Sequence, residues 1–424
     1  MKRTISIILS VMVLLSTLSP LQAGAVKHGS RFYSTYLQNW LCRDWTETRW
    51  EQEFQAAKEA GFQAIILQST CDIVRGEAVT GGDAQDPSSY TDTAGFCMFP
   101  SENGELSGAF RSSQNQGDAL ELALTAAKQT EMQIWLGTVN DDLWWKYGWG
   151  IPHDHGDSTY FEEWSRENAS LSASLIEEIW KRYGEDYSEQ IGGFYYVNEI
   201  WNMDAACMGK DHGLYANVIG NNLHTVIQAL DRTCPEKPLQ ISPFYNPEIS
   251  TSKQYTAFLT DILETAQLRP IDIYAGQDGG GSEYSPEVIR EWAFAQKQAV
   301  SDRMHFWVNC ETFQKDLTPK PVEQLRKNYA ATADLAEQAI LFSWNHYYHD
   351  SDLNTEFIAF AFETPQGDVN GDGIVSVDDA VMLQKWLHCI GNLGNPDAAD
   401  MDHDGQIDVF DLALLKRKLI GKIR

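Results

Sequence analysis

The sequence predicts an α/β protein in which a (β/α)8 TIM barrel is followed by a small all-α module. Between residues 27 and 363, eight short apolar runs alternate with amphipathic helical patterns. No glycine-rich phosphate-binding sequence follows the first run, which weighs against the alternative of an open doubly wound sheet. A duplicated loop-and-helix pattern then occupies the C-terminal end of the chain. The expected boundaries are 27–363 for the barrel, 364–367 for a short linker and 368–424 for the module.

The N-terminal residues 1–25 have the features of a secretory signal peptide. The chain starts with basic residues at Lys2-Arg3, continues with an apolar run over 5–15, and reaches a small-residue cleavage site at Ala23-Gly24-Ala25. The apolar run is too short to act as a membrane anchor. We therefore expect the mature protein to be secreted and extracellular.

Composition limits the classes of partner. The chain is globular in composition, with 43% hydrophobic and 22% charged residues, and its formal net charge is -28. Such a charge repels nucleic acid and anionic membranes, so we expect neither as a partner. The seven cysteines are scattered and form no CxxC pair, so zinc is not indicated. Cys71 and Cys97 are the closest pair in sequence, but spacing alone establishes no bridge.

The eight apolar runs define the predicted strands. In order they are RFYSTYL, AIILQS, MQIWLGTV, GGFYYVN, LQISPFYN, IDIYAG, MHFWVNCE and AILFSWN. Amphipathic helical patterns separate them, from TETRWEQEFQAAKEAG after the first run to PVEQLRKNYAATADLAEQ before the last. Eight consecutive β/α units are typical of a TIM barrel. Longer insertions over 74–116 and 140–159 follow the second and third strands, and we expect them to shape a cleft.

Polar and aromatic residues follow the apolar runs, at the end of the barrel where TIM-barrel proteins have their active sites. Aromatic ring faces stack on pyranose rings, and amides and carboxylates match sugar hydroxyl groups. The pattern therefore predicts a carbohydrate site. The substrate-binding candidates are Trp40, Asn140, Asp141, Trp144, Asn198, Trp201, Tyr245, Gln277, Asp278, Trp344 and His346.

Glu199 and Glu311 are the candidate catalytic residues. They end the fourth and seventh predicted strands, which lie opposite each other across a barrel mouth. Glycoside hydrolysis needs two carboxyl groups that flank one bond, and such a pair meets that need. The alternative is that each glutamate is a salt-bridge partner at the barrel rim.

The ends of these strands resemble the retaining (β/α)8 glycoside hydrolases of the 4/7 superfamily, or clan A. The matching residues are Asn198 and Glu199 after the fourth strand, Glu311 after the seventh and Trp344 after the eighth. The resemblance implies that Glu199 is the acid/base, Glu311 the nucleophile and Trp344 the floor of the reactive subsite. The clan's arginine on strand two has no clear counterpart, because Arg75 comes late. The barrel also resembles bacterial glycosidase-like barrels catalogued as a domain of unknown function.

This resemblance implies double displacement. Glu311 attacks the anomeric carbon while Glu199 protonates the leaving group, and Glu199 then deprotonates water. Retention predicts carboxyl groups roughly 5 to 5.5 Å apart, whereas roughly 6.5 to 9.5 Å would indicate inversion. We also expect Glu199 to titrate above Glu311, because the two roles need opposite protonation states. No cofactor is expected for catalysis.

Two C-terminal segments, DVNGDGIVSVDDAVMLQKWL and DMDHDGQIDVFDLALLKRKLIG, have the spacing of EF-hand-type calcium loops. Each loop runs into an apolar-periodic helix, predicted over 380–388 and 412–420. The alternative is a pair of Asp/Gly turns on a solvated surface. The predicted ligands of two Ca²⁺ ions are Asp368, Asn370, Asp372, Ile374, Ser376 and Asp379 in the first loop, and Asp400, Asp402, Asp404, Gln406, Asp408 and Asp411 in the second.

The duplicated loops, with Asp instead of Glu at position 12, resemble type I dockerin domains from about residue 367 onward. The resemblance implies that a cohesin module of a scaffoldin binds this region and places the protein in a cellulosome. The residues at positions 10 and 11, which help choose the cohesin in that family, are Val377-Asp378 and Val409-Phe410. The alternative is a structural calcium clip without a partner.

Together these features predict a secreted cellulosomal glycoside hydrolase that acts on a plant-type polysaccharide or oligosaccharide. The alternative is a catalytically inactive barrel that binds carbohydrate while docked on a scaffoldin. A different hydrolase class is less favoured, because the sequence contains neither a serine nucleophile elbow nor an HExxH motif.

Overall fold

The computed structural model describes residues 30–73, 96–104, 106, 118–141, 144, 159–202, 212–363, 365–371 and 375–422. The predicted signal peptide and the loop residues Asp372 and Ile374 lie outside these ranges. Most of both predicted insertions also lies outside them.

The described strands are β1 (Phe32–Leu37), β2 (Ala64–Leu67), β3 (Cys71–Ile73), β4 (Phe96–Cys97), β5 (Gln133–Gly137), β6 (Val139–Asp141), β7 (Ile191–Tyr196), β8 (Leu239–Ile241), β9 (Ile273–Gln277), β10 (His305–Glu311) and β11 (Ala339–Phe342). Eight of them form a closed parallel barrel in the order β1-β2-β5-β7-β8-β9-β10-β11. Pairing of Thr35 with Leu341 closes the barrel between its first and last strands. The predicted fold class is therefore confirmed.

The described helices of the barrel domain surround these strands. They begin where local signals favour a start: Thr251 and Gln254 form a capping box at one helix, and Ser285 caps another whose first residue is Pro286. The helices are α1 (Asn39–Cys42), α2 (Glu47–Glu59), α3 (Ala119–Thr130), α4 (Thr159–Tyr187), α5 (His212–Thr233), α6 (Ser252–Ala266), α7 (Pro286–Val300), α8 (Val322–Thr332), α9 (Trp344–Tyr347) and α10 (Asn354–Ala361).

Apolar side chains form two separate layers, one inside the barrel and one between the strands and the helices. On β10, Trp307 belongs to the inner layer, whereas Phe306 and Val308 belong to the outer layer. Because side chains alternate along a strand, Asn309 and Glu311 continue the inner side. This alternation places the last residue of β10 at the open mouth of the barrel.

A second, three-stranded sheet extends from the mouth. In it β3 pairs antiparallel with β4 and parallel with β6. Because β3 follows β2 and β6 follows β5 after very short connections, this sheet lies beyond the carboxyl ends of those two barrel strands. This sheet was not predicted from the sequence.

The C-terminal module contains α11 (Val377–Leu387), α12 (Pro396–Ala399) and α13 (Val409–Lys422), which enclose a small core of their own. The two long helices start earlier than predicted, and at α11 the reason is a capping box made by Ser376 and Asp379.

Among the described residues, none of the helices combines the length and the apolar character needed to cross a bilayer.

Candidate active site

Glu199 and Glu311 both lie on the inner side of the barrel mouth. Glu199 continues the alternation of Tyr195 and Val197, which line the barrel interior, and Glu311 ends β10. Gln277, at the end of β9, donates a hydrogen bond of 3.2 Å from Nε2 to Glu199 Oε1. The backbone N–H of Gly281 donates to Glu311 Oε2 at 2.5 Å. The structure therefore brings both predicted carboxylates to one opening.

The protonation of the two carboxyl groups is set mainly by burial. Burial raises the pKa of Glu311 to about 8, the charges of Asp278 and Glu199 add to the rise, and Lys320 opposes it. Burial also raises the pKa of Glu199, and the hydrogen bond from Gln277 opposes that rise. The large rise thus falls on Glu311 and not on Glu199, the opposite of the expected order.

Asp278, which directly follows β9, is hydrogen-bonded to the backbone of Glu311. Its Oδ1 accepts hydrogen bonds from the backbone N–H groups of Gly280 at 2.8 Å and of Glu311 at 3.2 Å. Burial raises the pKa of the Asp278 carboxyl, and the charge of Lys320 opposes that rise. Asp278 and Glu311 therefore form a buried pair of acids with a shared cation.

A series of aromatic ring contacts connects the residues that follow β1, β10 and β11 at the carboxyl end of the barrel. The ring of Trp40 lies 5.2 Å from that of His346, which stacks on Tyr347 at 4.3 Å. Tyr347 stacks on Phe313 at 5.4 Å, and Phe313 lies 6.2 Å from Phe342. We call these five residues the aromatic rim. Burial lowers the pKa of His346, so this imidazole is neutral at neutral pH.

Phe313 and Phe342 were missed in the sequence. Phe342 has a signal there, because it follows the inward-facing Ile340 by two residues and the period of two along β11 points to the barrel interior. Phe313 lies beyond the end of β10 and packs against the outer layer, so the alternation along β10 does not predict it.

Trp344 is not part of the opening. Its side chain is 1% exposed and packs against Phe62 at 5.5 Å and His349 at 4.3 Å. Its indole Nε1 donates to Asn354 Oδ1 at 2.9 Å. The expected floor of a subsite is therefore a packed residue of the outer layer, and Phe342 is the aromatic residue of β11 that faces the interior.

Three further substrate-binding candidates have side chains that are buried in the protein. Tyr245 is 1% exposed, its ring stacks on Trp292 at 4.6 Å, and its hydroxyl donates to the Asp278 carbonyl. The side-chain amide of Asn198 donates to Asn168 Oδ1 on α4 at 2.9 Å. Trp144 is buried in the outer layer, with its ring 6.0 Å from that of Trp164. Their contacts are those of packing residues.

The remaining candidates lie at two edges of the mouth. Trp201 is buried and stacks on Phe244 at 6.0 Å. Asp141 is fully buried on β6, and its neighbour Asn140 donates from Nδ2 to Asp72 Oδ1 at 2.9 Å.

Asp72 was not predicted as a site residue, and it is the centre of a polar cluster on β3. Its carboxylate also accepts hydrogen bonds from Asn39 Nδ2 and from Ser69 Oγ, the latter at 2.8 Å. Burial raises its pKa, and these three donors oppose the rise. Asp72 lies on β3, directly before the predicted insertion over 74–116. No pattern in the sequence indicates that Asn39, Ser69 and Asn140 bind its carboxylate.

The acidic loops of the C-terminal module have the chemistry that calcium requires. Asp400, Asp402 and Asp411 have carboxylate oxygens within 4.8 Å of one another. In the first loop, Asp379 accepts hydrogen bonds from the backbone N–H groups of Asn370 at 3.0 Å and Ser376 at 2.7 Å. Hard oxygen donors held on tight turns fit Ca²⁺.

The remaining predicted ligands, with the exception of Asp372 and Ile374, lie in the same two loops. Asp368 Oδ1 accepts from the Gly371 N–H at 2.8 Å, and Asp404 Oδ1 accepts from the Gln406 N–H at 2.7 Å. Asp408 Oδ1 accepts from the N–H of Phe410 at 2.7 Å.

Fold and loops together define a (β/α)8 barrel protein with a C-terminal dockerin domain. The model of the type I dockerin domain matches residues 366–420. The model described as "Domain of unknown function (DUF4434)" matches residues 32–353, and the chain belongs to this family. Type I dockerin domains bind calcium, in agreement with the acidic cluster. The resemblances to type I dockerin domains and to the bacterial barrels catalogued as a domain of unknown function are thereby confirmed.

The barrel has a counterpart of similar fold among solved structures. A "putative alpha-L-fucosidase" from Bacteroides thetaiotaomicron is 18% identical, with a TM-score of 0.58, 85% of this chain covered and 98% of the other. The endo-1,4-beta-mannanase from Rhizomucor miehei is 13% identical, with a TM-score of 0.44 and coverage of 78% and 93%. No curated protein matches the chain. At these identities the likeness concerns the fold alone.

Proposed function

We propose that the protein is a glycoside hydrolase of the cellulosome, with Glu199 and Glu311 as its catalytic pair. The observation that carries the proposal is the meeting of these two carboxyl groups on the inner side of one barrel mouth, where the charge of Glu199 contributes to the raised pKa of Glu311. Most glycoside hydrolases cleave their substrate with a pair of carboxyl groups that flank the glycosidic bond.

The proposed mechanism is double displacement. Glu311 attacks the anomeric carbon and forms a glycosyl ester as Glu199 donates its proton to the departing oxygen; Glu199 then takes a proton from water, which cleaves the ester. The reactive form has one proton, on Glu199, and Gln277 and Gly281 orient the two acids. The mechanism predicts that the first product has the substrate's anomeric configuration, which NMR observes directly; inversion would contradict it.

The aromatic rim supports a carbohydrate substrate. Trp40 and His346 are partly exposed beside the mouth, and aromatic faces stack on the apolar faces of sugar rings. Gln277 and Asp278 offer amide and carboxylate groups for hydroxyl groups in the same opening. We propose a plant-type polysaccharide or oligosaccharide as the substrate class.

We propose that the dockerin domain binds two Ca²⁺ ions through the predicted loop ligands and docks on a cohesin module of a scaffoldin. Val377, Val409 and Phe410 are strongly exposed apolar residues where the two loops enter their helices. Exposed apolar side chains of this kind are suited to a protein interface. The dockerin domain and the N-terminal signal-like segment both favour an extracellular protein.

A second candidate is an inactive barrel that only binds carbohydrate. It is favoured by the raised pKa of Glu311, because a nucleophile must be ionised in order to attack. A screen on plant polysaccharides separates the two. Release of reducing sugar by the wild type, abolished in Glu311→Gln, supports hydrolysis; retention on a polysaccharide without any release supports binding alone.

A further inference from the structure

We propose that Lys320 is a positioning residue for Glu311: its ammonium group fixes the carbonyl of Glu311 and compensates the charge of the buried Asp278–Glu311 pair. The proposal rests on the proposed function in one respect, the role of Glu311 as a catalytic residue. The contacts on which it depends are independent of any substrate.

Lys320 has an unusual place for a lysine. It is 1% exposed, although lysine is rarely buried unless it is paired. Its Nζ donates a hydrogen bond to the backbone carbonyl of Glu311. Its own backbone is fixed as well, since its N–H donates to Thr312 at 2.8 Å and its carbonyl accepts from the Tyr348 hydroxyl at 2.7 Å. The ammonium group is therefore directed at the end of β10.

The same ammonium group lies beside Asp278. A Cβ placed on Gly280 would be 2.2 Å from Lys320 Nζ and 2.9 Å from Asp278 Oδ1. The side chains of Lys320 and Asp278 therefore both lie next to Gly280, which has no side chain that would separate them. Asp278 in turn accepts from the backbone N–H of Glu311. The Lys320 ammonium group therefore lies close to both acids of the pair, at the Glu311 backbone carbonyl and at the Asp278 carboxylate.

The balance of charge explains why this matters. Two carboxylates buried side by side disfavour double ionisation, and a nearby cation makes ionisation easier. Among the described residues, charged and titratable groups from several strand ends interact with the Glu311 carboxyl group. They are Asp278, Lys320, Glu199, Tyr245, Tyr284 and Cys310. Lys320 is the cation of this set.

The test is the titration of Glu311 in the full-length protein. Glutamate ¹³C-carboxyl NMR follows it directly, and the Glu311→Gln variant assigns its signal. In Lys320→Met the midpoint of Glu311 should move up by about one pH unit or more, whereas Lys320→Arg should restore most of the wild-type midpoint. Lys327→Met removes an exposed lysine of α8 and should change nothing. An unchanged midpoint in folded Lys320→Met would overturn the proposal.

Asp278→Asn provides a second measurement, in case Lys320→Met does not fold. Without the neighbouring negative charge, the Glu311 midpoint should move down, and the further loss of Lys320 in the double variant should move it up again. If the midpoint ignores both changes, the proposal is wrong. Because no substrate is needed, this outcome is distinct from a failure to find glycosidase activity.

A different observation carries a second inference. Cys71 and Cys97 are free thiols in this structure, and we infer that they form a disulfide bond in an oxidising, extracellular environment. The two residues are directly opposite each other on β3 and β4. The Met98 N–H donates to the Thr70 carbonyl at 3.0 Å, which makes the cysteines a non-hydrogen-bonded pair. Such pairs have Cα atoms about 4.5 Å apart, inside the disulfide range of about 4.4 to 6.8 Å.

The environment of the two thiols agrees with this pairing. Both cysteines are buried, and burial together with contact with Cys97 raises the pKa of Cys71. In the reaction, the two thiols give up two protons and two electrons to a low-molecular-weight disulfide or a disulfide oxidoreductase, which is reduced to two thiols. The bond would link β3 to β4 covalently and so fix β3, on which Asp72 accepts hydrogen bonds from Asn39 and Asn140.

Peptide mapping tests this inference. The full-length protein is folded in a glutathione buffer that contains the oxidised form, then denatured, alkylated and digested without reductant. We expect one linked peptide pair joining Cys71 to Cys97. The other four cysteines of the described residues, Cys42, Cys234, Cys310 and Cys389, should be alkylated. Alkylation of both Cys71 and Cys97 in protein from the same buffer would refute the bond, and Cys97→Ser should leave Cys71 alkylated as a control.

Discussion

Glu311 links the chemistry of the site to the stability of the fold at the residue scale. Its pKa is about 8 in the folded protein, well above the roughly 4.3 of a free glutamate. A group whose folded pKa is raised contributes its stability fully below the unfolded pKa, and that contribution is lost as the pH rises toward the folded pKa. The window for Glu311 therefore extends from about pH 4 to about pH 8.

The Glu311→Gln variant tests this linkage. Glutamine has a similar shape and never ionises, so the variant should be more stable than the wild type above pH 8, on the order of a few kcal/mol. Near pH 4 the difference should be small. Thermal melts across this range measure it, with Glu185→Gln on the exposed side of α4 as the matched control. A difference in stability between Glu311→Gln and the wild type that is the same at every pH would disprove the linkage.

The same group predicts the alkaline side of the activity profile. The reactive form has a single proton on the acid pair, and it is lost above the higher of the two pKa values. We expect kcat/KM to decline as the pH passes about 8. This limb should shift to lower pH in Asp278→Asn, which removes a like charge. A limb that stays in place would exclude Glu311 as its source.

At the element scale, the contact between β2 and β5 depends on Gly137. A Cβ there would lie 2.1 Å from the Gln68 carbonyl oxygen, a backbone atom that cannot turn away. Gly137→Ala should therefore destabilise the barrel by about 2 kcal/mol or more. Gly213 on α5 has open space around its Cβ position, so Gly213→Ala should be neutral or slightly stabilising. Denaturant unfolding compares the two, and equal effects would contradict the account.

The elements also show what the sequence could predict. The barrel strands were visible because parallel strands buried on both faces appear as continuous apolar runs. Glu311 was found because it ends the seventh apolar run, which the structure shows as β10. Trp344 was misplaced because β11 ends at Phe342 and α9 begins at Trp344, so the period of two stops there. The small sheet of β3, β4 and β6 has strands of two or three residues, too short for any periodic signal.

At the scale of the whole molecule, two domains with separate cores should respond differently to calcium. Ligand binding stabilises only the state that binds. Calorimetry of the full chain with and without EDTA should therefore show a lower melting temperature for the dockerin domain and an unchanged one for the barrel. Asp379→Ala and Asp411→Ala should reproduce the effect of EDTA in calcium. A dockerin transition that ignores both treatments would contradict the calcium proposal.

The measurement that tests the central claim most directly is kcat/KM for Glu199→Gln and Glu311→Gln on a polysaccharide that the wild type hydrolyses. The claim predicts a loss of roughly a hundredfold or more in each variant, with Glu185→Gln unchanged and all three proteins equally folded. If either active-site variant keeps the activity of the wild type, the two carboxyl groups are not a catalytic pair.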